Sequence, residues 1–129
     1  GVLRGLHFQT KPKAQTKLIS VSHGEILDIV LDVRKGSPTY GKHCSVILND
    51  INNFQLLVPK GFAHGFISLS ESVRVNYQVD NYYSSENEFG INPFDNNLKI
   101  NWILEKNQII INNRDRSHKN LSESPAYKF

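Results

Sequence analysis

The stretch EILDIVLDV at residues 25–33 decides the fold class, because its side chains fall into two sets that alternate along the chain. Successive side chains of a strand point to opposite faces, so Leu27 and Ile29 lie on one face, and Ile26 and Asp28 on the other. The run therefore predicts a strand and not a helix. The carboxylate of Asp28 either lies at an outward-facing rim or is the partner of a buried group.

Similar strand patterns recur every eight to twelve residues, separated by turns rich in Gly, Pro and Asn. This spacing predicts an all-β protein, an antiparallel sandwich or barrel with little helix, forming one domain over residues 1–129. We expect residues 116–129 to be a polar C-terminal tail. Besides residues 25–33, the predicted strands are residues 1–9, 17–22, 42–48, 54–58, 62–69, 73–79 and 109–111.

Composition narrows the classes of partner. The net charge of +3 suits a small anion but is modest for a nucleic-acid-binding protein. No apolar run approaches the roughly 20 residues that span a bilayer, and the N-terminus lacks a signal-peptide pattern. The single cysteine, Cys44, excludes a disulfide framework within the chain and is predicted to be packed. We expect a soluble cytoplasmic protein with no nucleic-acid or membrane partner.

The opening nonapeptide, GVLRGLHFQ at residues 1–9, sets a guanidinium and an imidazole on mostly apolar backbone. On residue types alone it could be an ordinary strand with a solvated Arg4 and a core His7. Their separation of three residues would put them on opposite faces of a flat strand. Because Gly5 lies between them, we expect a twist or bulge that turns both side chains to one face.

Further polar and aromatic groups follow in order along the chain. They are AQTKL at residues 14–18, GFAHGF at 61–66, Tyr77, the triplet Asn81-Tyr82-Tyr83, and Asp115. Together with the nonapeptide, these motifs resemble the dTDP-4-dehydrorhamnose 3,5-epimerase family over residues 1 to about 115. The resemblance implies a cupin-type jelly roll and a cofactor-independent sugar-nucleotide epimerase. It also implies a homodimer and further strands upstream of the nonapeptide.

Catalytic roles are implied residue by residue. His7, oriented by Asp115, corresponds to the base that removes a proton next to a ketone, a task that suits imidazole near neutral pH. Lys17 corresponds to the group that holds the enolate oxygen, although a solvated lysine is the common alternative. Tyr77 corresponds to the acid on the opposite face of the sugar. On sequence alone, a buried tyrosine bonded to backbone is nearly as good a description.

Substrate-binding roles are implied for a second set of residues. Arg4 suits a diphosphate, because guanidinium grips phosphate oxygens bidentately. His64, with Asp28 as its hydrogen-bond partner, and also Tyr83 and Gln9 are expected near the sugar nucleotide. The remaining histidines, His23, His43 and His118, match no motif and are predicted to be surface residues.

We therefore expect 3,5-epimerisation of a dTDP-4-keto-6-deoxyhexose, feeding deoxysugar synthesis for a surface polysaccharide. Nearby alternatives are a 3- or 5-epimerase that inverts one centre, and a 3,4-ketoisomerase. A different class is a noncatalytic cupin that binds a sugar or nucleotide. No cofactor is expected, and no metal, because metal-binding cupins offer a His-x-His pair where this chain has His7-Phe8-Gln9.

Overall fold

The structure is a computed structural model, and it describes residues 1–125 and 127. Strands account for most of the regular structure. They are β1 (Val2–Gln9), β2 (Lys17–His23), β3 (Glu25–Asp32), β4 (His43–Asn49), β5 (Gln55–Val58), β6 (Phe62–Ser68), β7 (Arg74–Val79), β8 (Glu88–Gly90) and β9 (Ile110–Ile111). One short helix, α1 (Asn113–Arg116), and two 3₁₀ turns, Lys106–Gln108 and Leu121–Glu123, complete the described elements.

The strands form two sheets. The larger has the order β4-β3-β6-β1-β8, with β9 also paired to β1, and the smaller has the order β5-β2-β7. Every strand pairing is antiparallel except that of β9 with β1. The predicted all-β, antiparallel architecture with little helix is confirmed.

Two hydrophobic clusters bury the two faces of β3. Ile26 and Val30 pack with Ile19 and Val21 of the smaller sheet, between the two sheets. Leu27, Ile29 and Leu31 face the opposite way, into a cluster that includes Trp102, Ile111 and Leu121 from the C-terminal part of the chain. The period-two interpretation of residues 25–33 is therefore confirmed, and Asp28, fully buried, is an interior residue of the inner face.

A bulge interrupts β1 at Gly5, as predicted. Arg4 pairs with Phe66 and His7 with His64, so three residues of β1 span the distance of two on β6. Gly5 has a φ of 131°, and a Cβ on it would lie within 2.6 Å of the Gly65 Cα. Because Phe66 and His64 share a face of β6, the bulge brings Arg4 and His7 to that same face.

Cys44 and the C-terminal segment differ from what the sequence predicted. Cys44 is exposed rather than packed, because it lies on the edge strand β4 beyond Val46, where the cover from the smaller sheet ends. The segment after residue 116 is polar in composition, yet Leu121 and Tyr127 are both buried against the larger sheet. Among the described residues, no helix combines the length and apolar character needed to cross a membrane.

Candidate active site

The polar residues of interest face each other from the two sheets. On the larger sheet, His7 and His64 are paired neighbours on β1 and β6. On the smaller sheet, Tyr77 pairs with Ile19, which is buried between the sheets, and Lys17 lies two residues before Ile19 on the same face of β2. The two sheets thus bring an imidazole pair opposite an ammonium and a phenol.

His7 is held by a carboxylate from the distant helix α1. Its Nε2 lies 2.6 Å from Asp115 Oδ1, and the side chains of His7 and Asp115 are 23% and 1% exposed. Asn112 caps α1 by accepting a hydrogen bond from the Asp115 amide at 2.7 Å, which fixes the start of the helix. Since Nε2 is committed to the carboxylate, Nδ1 is the His7 nitrogen available to a substrate.

Asp115 is kept ionised by its partners. Its Oδ2 accepts the Gly5 amide hydrogen at 3.1 Å, so the bulge of β1 contributes to the site. Desolvation by itself would raise the pKa of Asp115. The hydrogen bond and charge of His7, the Gly5 amide and the nearby His118 together outweigh that effect and lower the pKa.

A second His–carboxylate pair lies deeper in the same sheet. His64 Nε2 is 2.8 Å from Asp28 Oδ2, and the two side chains are 3% and 0% exposed. Asp28 Oδ1 makes no hydrogen bond to any residue that the structure describes. Desolvation raises the pKa of Asp28, although His64 and the charge of Lys17 oppose the increase. Asp28 is therefore a buried, incompletely satisfied carboxylate on the inner face.

Tyr77 contacts this second pair from the facing sheet. Its ring meets the His64 ring edge-on, with the centroids 5.8 Å apart. Tyr77 is 47% exposed, more than its alternating strand suggests, because β7 is an edge strand of the smaller sheet. Desolvation and the Asp28 charge raise the pKa of Tyr77, which keeps the phenol protonated at neutral pH.

Lys17 is partly desolvated between two carboxylates. Desolvation lowers the pKa of Lys17, whereas the charges of Glu88 and Asp28 act in the opposite direction. An ammonium with little competing water interacts strongly with a nearby anion. The structure thus disfavours a fully solvated lysine at this position.

Arg4 lies in a surface pocket that it shares with Tyr77. Phe66, Val73 and Val75 also line this pocket. One guanidinium nitrogen of Arg4, Nη1, donates to the Leu3 carbonyl at 3.0 Å, and the residue is exposed. The arginine is therefore held at the mouth of the same cleft that contains the predicted acid.

Gln9 and Tyr83 lie at the other end of β1. The Gln9 amide is buried and engaged: Nε2 donates to the Lys13 carbonyl at 2.5 Å and to the Tyr82 carbonyl at 3.2 Å, and Oε1 accepts from the Ser84 amide at 3.0 Å. Gln9 therefore fixes the loop that carries Tyr83 and is not free to contact a substrate. Tyr83 itself is 62% exposed.

The sequence analysis missed Glu88. Glu88 accepts a hydrogen bond from Arg114, and Tyr83 and the charge of His7 also stabilise its ionised form. Desolvation is the largest single influence and would raise the pKa of Glu88, but these partners together lower it. Its strand, β8, has only three residues within a long polar segment, so no alternating pattern marked it.

His118 was predicted to be a surface residue, and this prediction is wrong. Its Nε2 lies 3.2 Å from Asp115 Oδ1, the oxygen that also binds His7. The rings of His7 and His118 meet edge-on, with their centroids 5.6 Å apart. His118 is three residues from Asp115, and the short helix α1 turns it back toward the site. By contrast, His23 has an exposed side chain, as predicted.

Nitrogen and oxygen atoms of His7, Asp115 and His118 lie within 4.8 Å of one another, a spacing that can also accommodate a metal ion. The two hydrogen bonds to Asp115 account for this convergence without an ion. We therefore interpret the cluster as a hydrogen-bonded system for handling protons.

Known proteins match this chain along most of its length. The family model described as dTDP-4-dehydrorhamnose 3,5-epimerase matches residues 1–123. An enzyme of that name from Methanothermobacter thermautotrophicus is 46% identical over 98% of this chain and 69% of its own length. The Sinorhizobium fredii protein of the same name is 42% identical over 98% of this chain and 64% of its own length.

A solved structure has the same fold. The dTDP-6-deoxy-D-glucose-3,5-epimerase of Legionella pneumophila, in complex with dTDP-4-keto-L-rhamnose, superposes with a TM-score of 0.95 at 41% identity. The match covers 100% of this chain and 69% of that one, so this chain spans about two thirds of the length of these relatives. The chain belongs to the dTDP-4-dehydrorhamnose 3,5-epimerase family.

Proposed function

We propose that this chain catalyses the cofactor-independent 3,5-epimerisation of a dTDP-4-keto-6-deoxyhexose. The observation that carries the proposal is the facing arrangement of two sheets. One sheet carries His7, whose partner Asp115 comes from α1, and the other sheet carries Tyr77 and Lys17. Inversion of a carbon next to a ketone requires a base on one face of the sugar and an acid on the other.

The first step is removal of the proton from carbon 3. The free Nδ1 of His7 takes this proton, and the electrons of the C–H bond form an enolate with its charge on the carbon 4 oxygen. Asp115, ionised and 2.6 Å from Nε2, stabilises the imidazolium that results. The same carboxylate fixes the tautomer in which Nδ1 is the acceptor.

The enolate oxygen needs a positive partner. Lys17 supplies an ammonium in a desolvated position, where its attraction for the developing charge exceeds that in bulk water. The charges of Glu88 and Asp28 favour its protonated form against the effect of burial. Lys17 therefore acts as an electrostatic stabiliser and not as a base.

The second step returns a proton to the opposite face of carbon 3. The Tyr77 hydroxyl donates it, and the electrons of the enolate form the new C–H bond. Its raised pKa keeps the proton on Tyr77 until a strongly basic carbon is presented. His7 then loses its proton to solvent, Tyr77 regains one, and the same cycle inverts carbon 5.

Residues at the two ends of the cleft bind the nucleotide portion of the substrate. Arg4, beside Tyr77 in one pocket, offers its guanidinium to the diphosphate. Tyr83 lies in a second pocket with Gln15, Val79 and Tyr82 and presents an aromatic surface to the nucleotide. Gln9 acts indirectly by holding the Tyr83 loop.

The test is incubation of the protein with dTDP-4-keto-6-deoxyglucose in deuterated water, followed by NMR of carbons 3 and 5. Deuterium at both carbons with inverted configuration is expected. Label at one carbon only would identify a single-centre epimerase, and movement of the keto group would identify a ketoisomerase. Ligand binding with no label at either carbon would support the noncatalytic alternative and contradict our proposal.

We also expect the chain to form a homodimer and to act in the cytoplasm. Support for pairing comes from β7, an edge strand on which Tyr77 and Val79 are each about half exposed. Such an edge offers unpaired backbone groups and apolar surface to another strand. Light scattering coupled to gel filtration would measure the mass directly, and a monomer at micromolar concentration would contradict this expectation.

A further inference from the structure

We propose that His118 is a positioning residue that sets the basicity of His7 by sharing its carboxylate oxygen. His118 Nε2 is 3.2 Å from Asp115 Oδ1, and His7 Nε2 is 2.6 Å from the same atom. The inference rests on the proposed function, because it assigns His118 to the residue that would act as the base.

Space for this contact is provided by Gly90. Gly90 pairs with His7 across β1 and β8, and a Cβ on Gly90 would overlap the imidazole of His118. The φ of Gly90 lies outside the left-handed region, so its backbone does not require glycine. Glycine is needed at position 90 for steric reasons, because the His118 ring occupies the space that a side chain at that position would fill.

The physical effect follows from the shared acceptor. When one carboxylate oxygen accepts hydrogen bonds from two N–H groups, it interacts less strongly with each of them than it would with one alone. Desolvation and the charge of His7 lower the pKa of His118, although Asp115 acts in the opposite direction. The lowered pKa favours the neutral form of His118, in which Nε2 is an N–H donor to Asp115. That donor weakens the hold of Asp115 on the protonated form of His7. His118 thereby makes His7 a weaker base and eases release of its proton between turnovers.

Other charged groups around the pair are held in place by their own contacts. Glu88 on β8 is bound by Arg114 of α1, and its charge also acts on Lys17. His64 lies opposite His7 on β6 and is bound to Asp28. His118 takes part in neither of these ion pairs, so a shift in the pKa of His7 would report the shared hydrogen bond.

The experiment compares three variants of the complete chain. His118→Leu removes the donor, His118→Gln keeps an N–H donor without a titratable ring, and Gly90→Ala displaces the ring. The pKa of His7 is measured in each by NMR titration of histidine-labelled protein without substrate. His23→Gln, which removes an exposed imidazole, is the matched control.

His118→Leu should raise the pKa of His7 by about 0.5–1 unit, the size expected for one lost hydrogen bond. The acidic limb of kcat/KM should move to higher pH by the same amount, because only neutral His7 can accept a proton. At pH values below both pKa values, activity should therefore fall about 3–10-fold, with little change above pH 8. His118→Gln should restore the wild-type profile.

Gly90→Ala tests the same contact by a second route. It should raise the pKa of His7 as His118→Leu does, and the double variant should show no further shift, since both changes remove one interaction. This variant also keeps the inference testable if His118→Leu folds poorly.

An unchanged His7 pKa in His118→Leu and in Gly90→Ala would overturn the inference. So would an equal loss of activity at every pH, which would indicate structural support alone. If the wild-type protein proves inactive, the proposed function fails, but the NMR titration still decides whether His118 weakens His7 as a base.

Discussion

His7 and His64 are paired neighbours on the larger sheet, and each contacts a carboxylate, but the two His–carboxylate pairs differ in exposure and in hydrogen bonding. His7 is partly exposed, and its partner Asp115 uses both carboxylate oxygens in hydrogen bonds. His64 and Asp28 are almost fully buried, and one oxygen of Asp28 has no hydrogen-bond partner among the described residues. The imidazole of the first pair is open to proton exchange with its surroundings, whereas the second pair is closed off from solvent.

The difference also appears in the direction of the pKa shifts. Hydrogen bonds lower the pKa of Asp115, whereas burial raises that of Asp28. A well-hydrogen-bonded carboxylate stays charged and can stabilise an imidazolium. The poorly satisfied Asp28 instead adds to desolvation in raising the pKa of Tyr77, and its charge favours the charged form of Lys17. In the proposed mechanism, the same two residue types therefore serve proton transfer in one place and electrostatics in the other.

The largest expected effect separates the two imidazoles. His7→Asn should reduce the rate of epimerisation about 10²–10⁴-fold, the usual contribution of a general base, while leaving thermal unfolding close to wild type. His64→Asn should cost less activity and more stability, because its partner Asp28 is buried. The rates come from the NMR assay in deuterated water. Equal losses of activity in the two variants would erase the distinction between the pairs.

Tyr77→Phe tests whether the acid lies beside the second pair. The variant should still exchange the substrate proton for deuterium. It should form inverted product more slowly than wild type by a factor of up to about 10², because only the proton donor is lost. Tyr40→Phe, whose ring packs against the cluster that contains Trp102 and Leu121, is the control and should behave as wild type. Normal inversion by Tyr77→Phe would show that another group supplies the proton.

Stability should separate the two carboxylates. Asp115 has a lowered pKa, so it contributes stability above its unfolded value of about 3.9, and this contribution is lost as the pH falls through the folded pKa. Asp28 has a raised pKa, so its ionised form weakens the fold above the folded pKa, and protonation relieves this as the pH falls.

At pH 7, Asp115→Asn should therefore lower the free energy of unfolding by about 1–3 kcal/mol. Asp28→Asn should stay within about 1 kcal/mol of wild type, because it removes an incompletely satisfied charge. Urea denaturation at pH 5 and pH 7 measures both values. A larger loss for Asp28→Asn would mean that Asp28 is better stabilised than its contacts indicate.

The smallest effect concerns Glu88, whose charge acts on both His7 and Lys17. Glu88→Gln removes a charge that favours the protonated form of each, so both limbs of the pH profile should move to lower pH by less than about one unit. A profile that moved upward, or only on one side, would contradict this coupling. Glu86→Gln, at an exposed position two residues away, is the control.

The sequence predicted those parts of the site that depend on local patterns. The odd spacing of Arg4 and His7 around Gly5 indicated a bulge, and the alternation over residues 25–33 put Asp28 on the face of Ile26. Both follow from the fixed period of a strand. The family resemblance added the long-range partners, such as Asp115 for His7.

The missed features depend on contacts between distant segments. His118 reaches the site only because Gly90, on another strand, leaves room for its ring. Tyr77 and Cys44 are more exposed than their strands suggested, because each lies on an edge strand, and an alternating pattern cannot distinguish an edge from a centre. Glu88 lies on a strand too short to have a pattern.

The bulge at Gly5 also determines the separation of two side chains in the site. It fixes how far Arg4, at the proposed diphosphate end, lies from His7, at the proposed sugar end, and it does so with backbone packed directly on Gly65. Adding or deleting one residue between them would reset that distance and turn one of the two side chains away from the cleft. If Arg4 and His7 have the proposed roles, a single extra residue in one strand thus sets the length of ligand that can be held at both ends.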